Sequence, residues 1–426
     1  MPNSHDGNDG HEPKPPYSQY QIDIYINAIL NDSKVPLTTD PNKLEAAARK
    51  VMPAAGFGYV FGGAGEQSTM HANRLAFRQW KLIPRFLRPA IPRDLKVELF
   101  GKTYETPVLM GPVGAQSEYH KAAEPGTAIA CAELDVPFII STASSVSMED
   151  IAAAADAAYT PSSSSPTAPR WYQLYWPLSD EITASILRRA KAAGCSVLVV
   201  TLDTFSMAWR PTDLDAGFLP MAVGVGNANG FSDPVFRRRV AEATDGETPE
   251  ENPILASRMW TSDVFSGNAH RWEDLATLRK MWDGPIVLKG VLSVADALLA
   301  AQHGMDGIIV SNHGGRQLDG AVPSLEMLPE IVDAVGNQLT VLFDSGVRTG
   351  ADIMKALALG AKAVLVGRPV IYGLGIAGKD GAKHVLAGLL ADLDQSMGLS
   401  GVQKISELNR GVLRKVQYGG DIHSNL

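Results

Sequence analysis

The chain has 426 residues, 45% of them apolar and 20% charged, enough to build a large core in one big domain or two ordinary ones. A formal net charge of −8 and a pI near 5.6 argue against nucleic acid or an anionic membrane as the main partner, though a local basic pocket for a small anion remains compatible. Cys131 and Cys195 are the only cysteines, each in an apolar or alanine-rich context, so buried free thiols in a reducing compartment are expected rather than a disulfide or metal site.

Residues 1–16 are polar and lack the apolar stretch of a secretory signal, and no run is long and apolar enough to span a bilayer. The final Ser424-Asn425-Leu426 only weakly imitates a peroxisomal address, so a cytoplasmic protein is expected. An N-terminal extension, 1–50, carries a predicted helix at 19–31. Eight short, β-branched apolar runs follow at 108–113, 138–142, 170–175, 196–202, 285–290, 307–312, 340–345 and 363–368. With one exception their starts lie roughly 20–35 residues apart, the period of a βα unit. Amphipathic helices are predicted at 180–193, 294–303, 324–335 and 350–359, and 152–169 reads as a helix followed by a flexible serine-rich loop. Eight buried strands alternating with helices imply an α/β fold, a closed (β/α)8 TIM barrel over 51–400, in preference to an open doubly wound sheet.

The exception is 205–284, an insertion after the fourth strand that far exceeds one helix. Its portion 217–252 is rich in Gly, Asn, Pro and charge and reads as a partly mobile lid over the active face. Within it, Gly224-Val225-Gly226-Asn227-Ala228-Asn229-Gly230 imitates a dinucleotide fingerprint but follows no strand and opens no helix, so it is assigned to the flexible lid. Trp171, Trp176 and Trp209 are read as packing residues at the rim of the site. A C-terminal helix and tail are expected over 401–426.

Polar and charged residues gather at the C-terminal ends of the predicted strands, where barrels place their active sites. The last two strand ends, Asp344-Ser345-Gly346-Val347-Arg348 and Gly367-Arg368, combine glycine turns, two guanidinium groups and a helix start, a combination that favours a phosphate-bearing cofactor. His313 and Arg316 share one loop, a base near neutral pH beside a permanent cation. Asp203 is placed to hold that imidazole and stabilise its charged form, and Arg210 to clamp a carboxylate at the base of the lid.

Ser311-Asn312-His313-Gly314-Gly315-Arg316-Gln317-Leu318-Asp319 and Asp344-Ser345-Gly346-Val347-Arg348-Thr349-Gly350 resemble the FMN-dependent L-2-hydroxy acid oxidase and dehydrogenase family. The resemblance runs from about Tyr59 to the last barrel helix. Tyr59-Val60-Phe61-Gly62-Gly63-Ala64-Gly65, Trp209-Arg210-Pro211-Thr212-Asp213-Leu214, Asp233-Pro234-Val235-Phe236 and the long insertion look most similar to its lactate 2-monooxygenase branch.

The resemblance implies FMN as cofactor, with His313 as base at substrate C2 and Asp203 stabilising the imidazolium. Arg316, Arg210 and Tyr59 would bind the substrate carboxylate, and Tyr175 its hydroxyl or carboxylate. Lys289 would sit by the pyrimidine edge of the flavin, and Ser141, Gln173 and Thr201 would hydrogen-bond the ring. Asp344, Gly346, Arg348, Gly367 and Arg368 would take the ribityl chain and phosphate; Pro112, Val113, Gly114 and Ser311 complete the cofactor set. The implied reaction is conversion of L-lactate and O2 to acetate, CO2 and water, with keto acid and peroxide retained beneath the lid. The alternatives are an oxidase releasing keto acid and H2O2, a dehydrogenase using another acceptor, and an inactive FMN-binding barrel. Ala143, where relatives carry a larger residue, implies room for more than a methyl group. A homotetramer or homo-octamer is the implied assembly.

Overall fold

A computed structural model describes residues 15–160 and 166–416. The eight apolar runs each contain a strand: β1 Val108–Met110, β2 Phe138–Ser141, β3 Arg170–Leu174, β4 Leu198–Thr201, β5 Ile286–Val291, β6 Gly307–Val310, β7 Thr340–Phe343 and β8 Val364–Val366. All neighbours are parallel, and β8 closes on β1 through the register Val364–Val108, Leu365–Leu109 and Val366–Met110, so no edge is left unpaired. The strands read as continuous apolar runs because both of their faces are buried.

Alternation along those strands divides the core into two layers. Leu109, Ile139, Trp171, Val199, Val287, Ile309, Leu342 and Leu365 fill the barrel interior, and the larger cluster lies between strands and helices. A hairpin of Val97–Leu99 and Lys102–Tyr104 plugs the N-terminal end, where Trp171 Nε1 donates to the Tyr104 hydroxyl at 3.0 Å. Trp171 therefore stands at the end of the barrel opposite the site rather than at its rim. Trp209 is 75% exposed, also against the packing role expected of it, whereas Trp176 is buried and stacks on His270 at 3.9 Å.

Helix starts are set by short polar residues just beyond the strand ends. Ser147, Ser179, Ser293 and Thr349 accept the N–H of Asp150, Ile182, Asp296 and Asp352 at 3.2, 3.3, 3.0 and 3.0 Å. Each such cap contributes about 1 kcal/mol and fixes the entry angle of its helix against the barrel. After β8, the helical stretch Arg368–Leu399 breaks at Ala377 and Gly378, leaving a short helix whose N-terminus faces the site and a long one that packs on the barrel wall.

Outside the barrel, the extension forms the helices Gln19–Asn31 and Pro41–Val51. Residues 401–416 hold two 3-10 turns and the strand Leu413–Lys415, which pairs antiparallel with Trp80–Leu82; the helix expected there is absent from the described residues. Pairing with a distant strand, invisible to local periodicity, decided that segment. The Ser424-Asn425-Leu426 terminus and most of the serine-rich loop lie outside the described residues. Among the described residues no helix is long and apolar enough to cross a membrane. Both cysteines are buried free thiols.

The insertion after β4 is built of helices, chiefly Pro234–Ala243 and Pro253–Val264, and not of the loose lid expected from its composition. Asn227, Asn229 and Asp233 in it are fully buried.

Candidate active site

The loop after β6 carries His313. His313, Gly314 and Gly315 all have left-handed backbone, with φ of 58, 66 and 74°. For His313 that conformation is strained. The glycines are needed: a Cβ on Gly314 would lie 2.7 Å from Arg368 Nη1, and one on Gly315 2.7 Å from Met70 Cγ. The turn is fastened from below, where Asn312 and Asn73 exchange amide hydrogen bonds of 2.9 and 2.8 Å.

His313 Nδ1 lies 2.8 Å from Asp203 Oδ1, beyond the end of β4. The carboxylate holds the proton on Nδ1 and leaves Nε2 as the acceptor. Thr204 Oγ1 sits 2.9 Å from Asp203 Oδ1 and 3.1 Å from His313 Nδ1, so it braces the pair. Burial pushes the His313 pKa below its ordinary value, and Asp203 offsets this only in part while Lys289 adds to it. Burial acts on Asp203 in the opposite sense, but His313 and Lys289 together hold its carboxyl far below the usual range. At neutral pH the pair is a neutral imidazole beside a carboxylate, the protonation state a general base requires.

Two guanidinium groups face the base. Arg210 is 4% exposed, donating from Nε to the Arg316 carbonyl at 2.9 Å and from Nη2 to Gln317 Oε1 at 2.7 Å. Arg316 Nη1 donates to the carbonyls of Tyr59 and Gly62 at 2.5 and 2.6 Å, and its guanidinium lies 5.2 Å over the Tyr59 ring. Burial, then Arg316, lower the Arg210 pKa, and the nearest carboxylate, that of Asp213, stands 3.9 Å away. A buried cation beside a half-buried one, so poorly neutralised, favours an anion next to them.

A cavity joins these groups to residues at the strand ends. Tyr59, Tyr175, Arg210, His313 and Arg316 line one part of it together with Ala143, Met207, Met221 and Phe265. Pro112, Val113, Gly114, Lys289, Asp344, Gly346, Arg348, Gly367 and Arg368 line the rest of it. Close by Lys289, Ser141 Oγ, Gln173 and Thr201 Oγ1 form a buried hydrogen-bonded row at 3.1 and 3.0 Å, and Ser311 Oγ accepts from Lys289 Nζ at 3.1 Å.

Arg348, Arg368 and the start of the short helix after β8 have the chemistry that suits a phosphate. Arg368 bonds the backbone carbonyls of Val60 and Gly314 at 2.9 and 2.8 Å, and Arg348 its neighbour Val347 at 2.9 Å; neither has an ion pair among the described residues. Burial lowers both, Arg368 to about 9. Their charges meet the start of the short helix after β8, whose first N–H groups have no side-chain cap. A Cβ on Gly114 would lie 2.3 Å from the Ala143 carbonyl, so only glycine lets the loop after β1 pass this close to the loop after β2. Lys289 Nζ is 3.5 Å from Asp344, and despite its burial Asp344 and Asp203 keep its ammonium charged. These donors and cations fit the ring edge and phosphate of FMN.

Most of the residues singled out by sequence line one cavity; Ser141, Gln173 and Ser311 are buried without lining it, and Thr201 and Asp203 line a neighbouring cavity, Asp203 reaching the first through its bond to His313. Those missed are Thr204, just before the insertion, Met207, Met221 and Phe265, on the insertion, and Glu124. Glu124 Oε1 accepts the N–H of Gln116 at 3.0 Å and of Ser145 at 2.8 Å, strapping the loops after β1 and β2 together. Burial pushes its pKa up to about 7 against those hydrogen bonds. Because the folded pKa exceeds the ordinary carboxylate value, stability is full below that value and is lost as pH rises through about 7, on the order of 3 kcal/mol for the whole span. Glu124→Gln is therefore expected to flatten the fall in Tm between pH 5 and pH 8; superimposable Tm–pH curves for the two proteins would refute this.

Residues 48–415 match the family described as FMN-dependent dehydrogenase. The chain is 52% identical to an FMN-dependent alpha-hydroxy acid dehydrogenase of Penicillium citrinum, covering 96% of this chain and 99% of that protein. It is 40% identical to an L-lactate oxidase of Lysinibacillus sphaericus over 87% and 92% of the two chains. A crystal structure of mandelate oxidase superposes with a TM-score of 0.74 at 38% identity, covering 89% of this chain and 98% of that one. This chain belongs to the FMN-dependent 2-hydroxy acid oxidoreductases, with FMN as its cofactor and oxidation of a 2-hydroxy acid as its reaction.

Proposed function

We propose that the substrate is an L-2-hydroxy acid with a small apolar side chain, lactate being the smallest member, and that O2 is the electron acceptor. One observation carries this reading: the His313–Asp203 pair faces the Arg210 and Arg316 guanidinium groups across a cavity whose remaining wall, Ala143, Met207, Met221 and Phe265, is apolar. The two arginines bind the carboxylate, and Tyr59 and Tyr175 line the same end. Burial keeps the Tyr175 phenol protonated, so it acts as a hydrogen-bond donor to the substrate hydroxyl or carboxylate. With the carboxylate fixed, the C2 hydroxyl is presented to His313 Nε2, which takes the proton released as C2 is oxidised. Asp203 then stabilises the imidazolium. Bound FMN supplies the two-electron acceptor. Lys289, Ser141, Gln173 and Thr201 would hold its ring, Lys289 placing a positive charge where electron density increases. Arg348, Arg368, Asp344, Gly346 and Gly367 would hold the ribityl phosphate, and Pro112, Val113, Gly114 and Ser311 would shape the platform.

The finer outcome depends on whether the keto acid stays. The folded insertion brings Met207, Met221 and Phe265 to the cavity and is fastened by buried polar residues, an arrangement that favours retention and hence monooxygenation of lactate to acetate, CO2 and water. The oxidases and dehydrogenases among the relatives favour release of keto acid, and that is the second reading. Aerobic turnover with L-lactate separates them. Acetate without free peroxide is the expected product; equal pyruvate and peroxide would replace the monooxygenase reading by the oxidase one. An enzyme reoxidised only by an added acceptor would make it a dehydrogenase.

A further inference from the structure

The Gly-Asn-Ala-Asn-Gly segment at 226–230 is the most heavily fastened part of the insertion, although its composition suggests a loose loop. Asn229 is fully buried. Its Nδ2 donates to the carbonyls of Ser141 at 2.9 Å and Thr142 at 3.4 Å, and its Oδ1 accepts the Met148 N–H at 2.9 Å. The Ala228 N–H reaches the Ser144 carbonyl at 3.2 Å, and Arg189 Nη1 donates to the Asn229 carbonyl at 2.7 Å. Together these bonds fix the segment to the loop after β2, on which Ala143 stands. Asn227, also fully buried, turns the other way, donating from Nδ2 to the Met221 carbonyl at 2.8 Å and to Ser257 Oγ at 3.1 Å.

Two glycines allow this proximity. Gly226 has φ of 86°, and a Cβ there would meet the Ala143 carbonyl at 3.0 Å; a Cβ on Gly230 would enter the Trp260 ring at 2.5 Å. Met221 and Ala143 both line the catalytic cavity, and Met221 Sδ accepts from the Tyr59 hydroxyl at 3.5 Å. One wall of the cavity is thus held by Asn227 and the other by Asn229, with Ala228 the only residue between them.

We infer that Asn227 and Asn229 are positioning residues that set the separation of Met221 from Ala143, and through it the length of side chain the 2-hydroxy acid can carry. The inference rests on the proposed substrate orientation. Neither asparagine touches the reacting atoms. Buried amides hold the spacing firmly because breaking one bond leaves a donor or acceptor with no water to replace it.

The test uses the FMN-loaded enzyme and follows anaerobic flavin reduction by L-2-hydroxy acids from lactate to 2-hydroxyoctanoate. In Asn229→Ala, the ratio of reduction efficiencies for the longest and shortest acids is expected to change about tenfold or more, the scale of discrimination available to an apolar pocket. FMN content and the limiting reduction rate with the best acid are expected to stay within about threefold. Met221→Ala, which removes the wall directly, is expected to shift the ratio in the same direction. Asn227→Ser, keeping a hydroxyl in the buried position, carries the test if Asn229→Ala does not fold. An unchanged ratio in both asparagine variants, with a changed one in Met221→Ala, overturns the inference and leaves the substrate reading intact. Failure of every L-2-hydroxy acid to reduce the wild-type flavin overturns the substrate reading and this inference with it.

Discussion

Replacing His313 by glutamine is expected to leave FMN bound while slowing flavin reduction by an L-2-hydroxy acid about 10²–10⁴-fold, the range set by loss of a positioned general base. Glutamine retains a side-chain amide near Asp203 but cannot take a proton. The groups proposed to hold the cofactor, Lys289, Arg348 and Arg368, are untouched, so FMN content and absorbance serve as the internal control. Stopped-flow reduction without oxygen isolates the step from reoxidation. A variant reduced at the wild-type rate would remove His313 from the role of base.

The same residue predicts the acid limb of the wild-type profile. Burial, exceeding the opposing pull of Asp203, places the imidazole below its ordinary value of 6.5. The basic form is therefore already dominant at neutral pH, and kcat/KM is expected to fall only as pH drops below 6.5.

The barrel was legible because each strand is buried on both faces and so announces itself as a run of Val, Ile and Leu. The site was legible for a related reason: barrels place chemistry at strand ends, so His313, Asp203, Lys289 and Arg348 each follow immediately or nearly so on an apolar run. What local patterning did not reveal depends on contacts between distant segments. Asn229 meets Ser141 across 88 positions, and Tyr59 meets Met221 across 162. Glycine and asparagine in the insertion suggested looseness, yet the same residues permit close backbone approach when buried amides have partners. The strand Leu413–Lys415 needed a partner more than 300 residues upstream, too far for any periodicity to register. Trp171 was misplaced for an avoidable reason. It occupies the second position of β3, and the beginning of a barrel strand lies at the end away from the active site.

Arg210→Met is expected to weaken binding of the substrate, or of a 2-keto acid product, about 10²-fold while the limiting rate of flavin reduction changes much less. A charge-assisted hydrogen bond to a carboxylate is worth about 1.5–3 kcal/mol, which sets that scale. The stability of the ligand-free enzyme should move the other way. Arg210 is buried beside Arg316, and both burial and that like charge depress its pKa, so the unliganded site holds two cations in an unfavourable arrangement. Methionine fills a similar volume without the charge, although it gives up the bonds to the Arg316 carbonyl and Gln317. The holoenzyme without substrate should therefore keep its Tm or gain slightly, while the increase in Tm produced by a saturating 2-keto acid should largely disappear. Equal losses in ligand-free and liganded stability would instead mark Arg210 as a purely structural cation. Retained ligand stabilisation would assign the carboxylate to Arg316 alone, because the only other guanidinium groups among the described residues lining the cavity, Arg348 and Arg368, are taken up by the phosphate in the proposed arrangement.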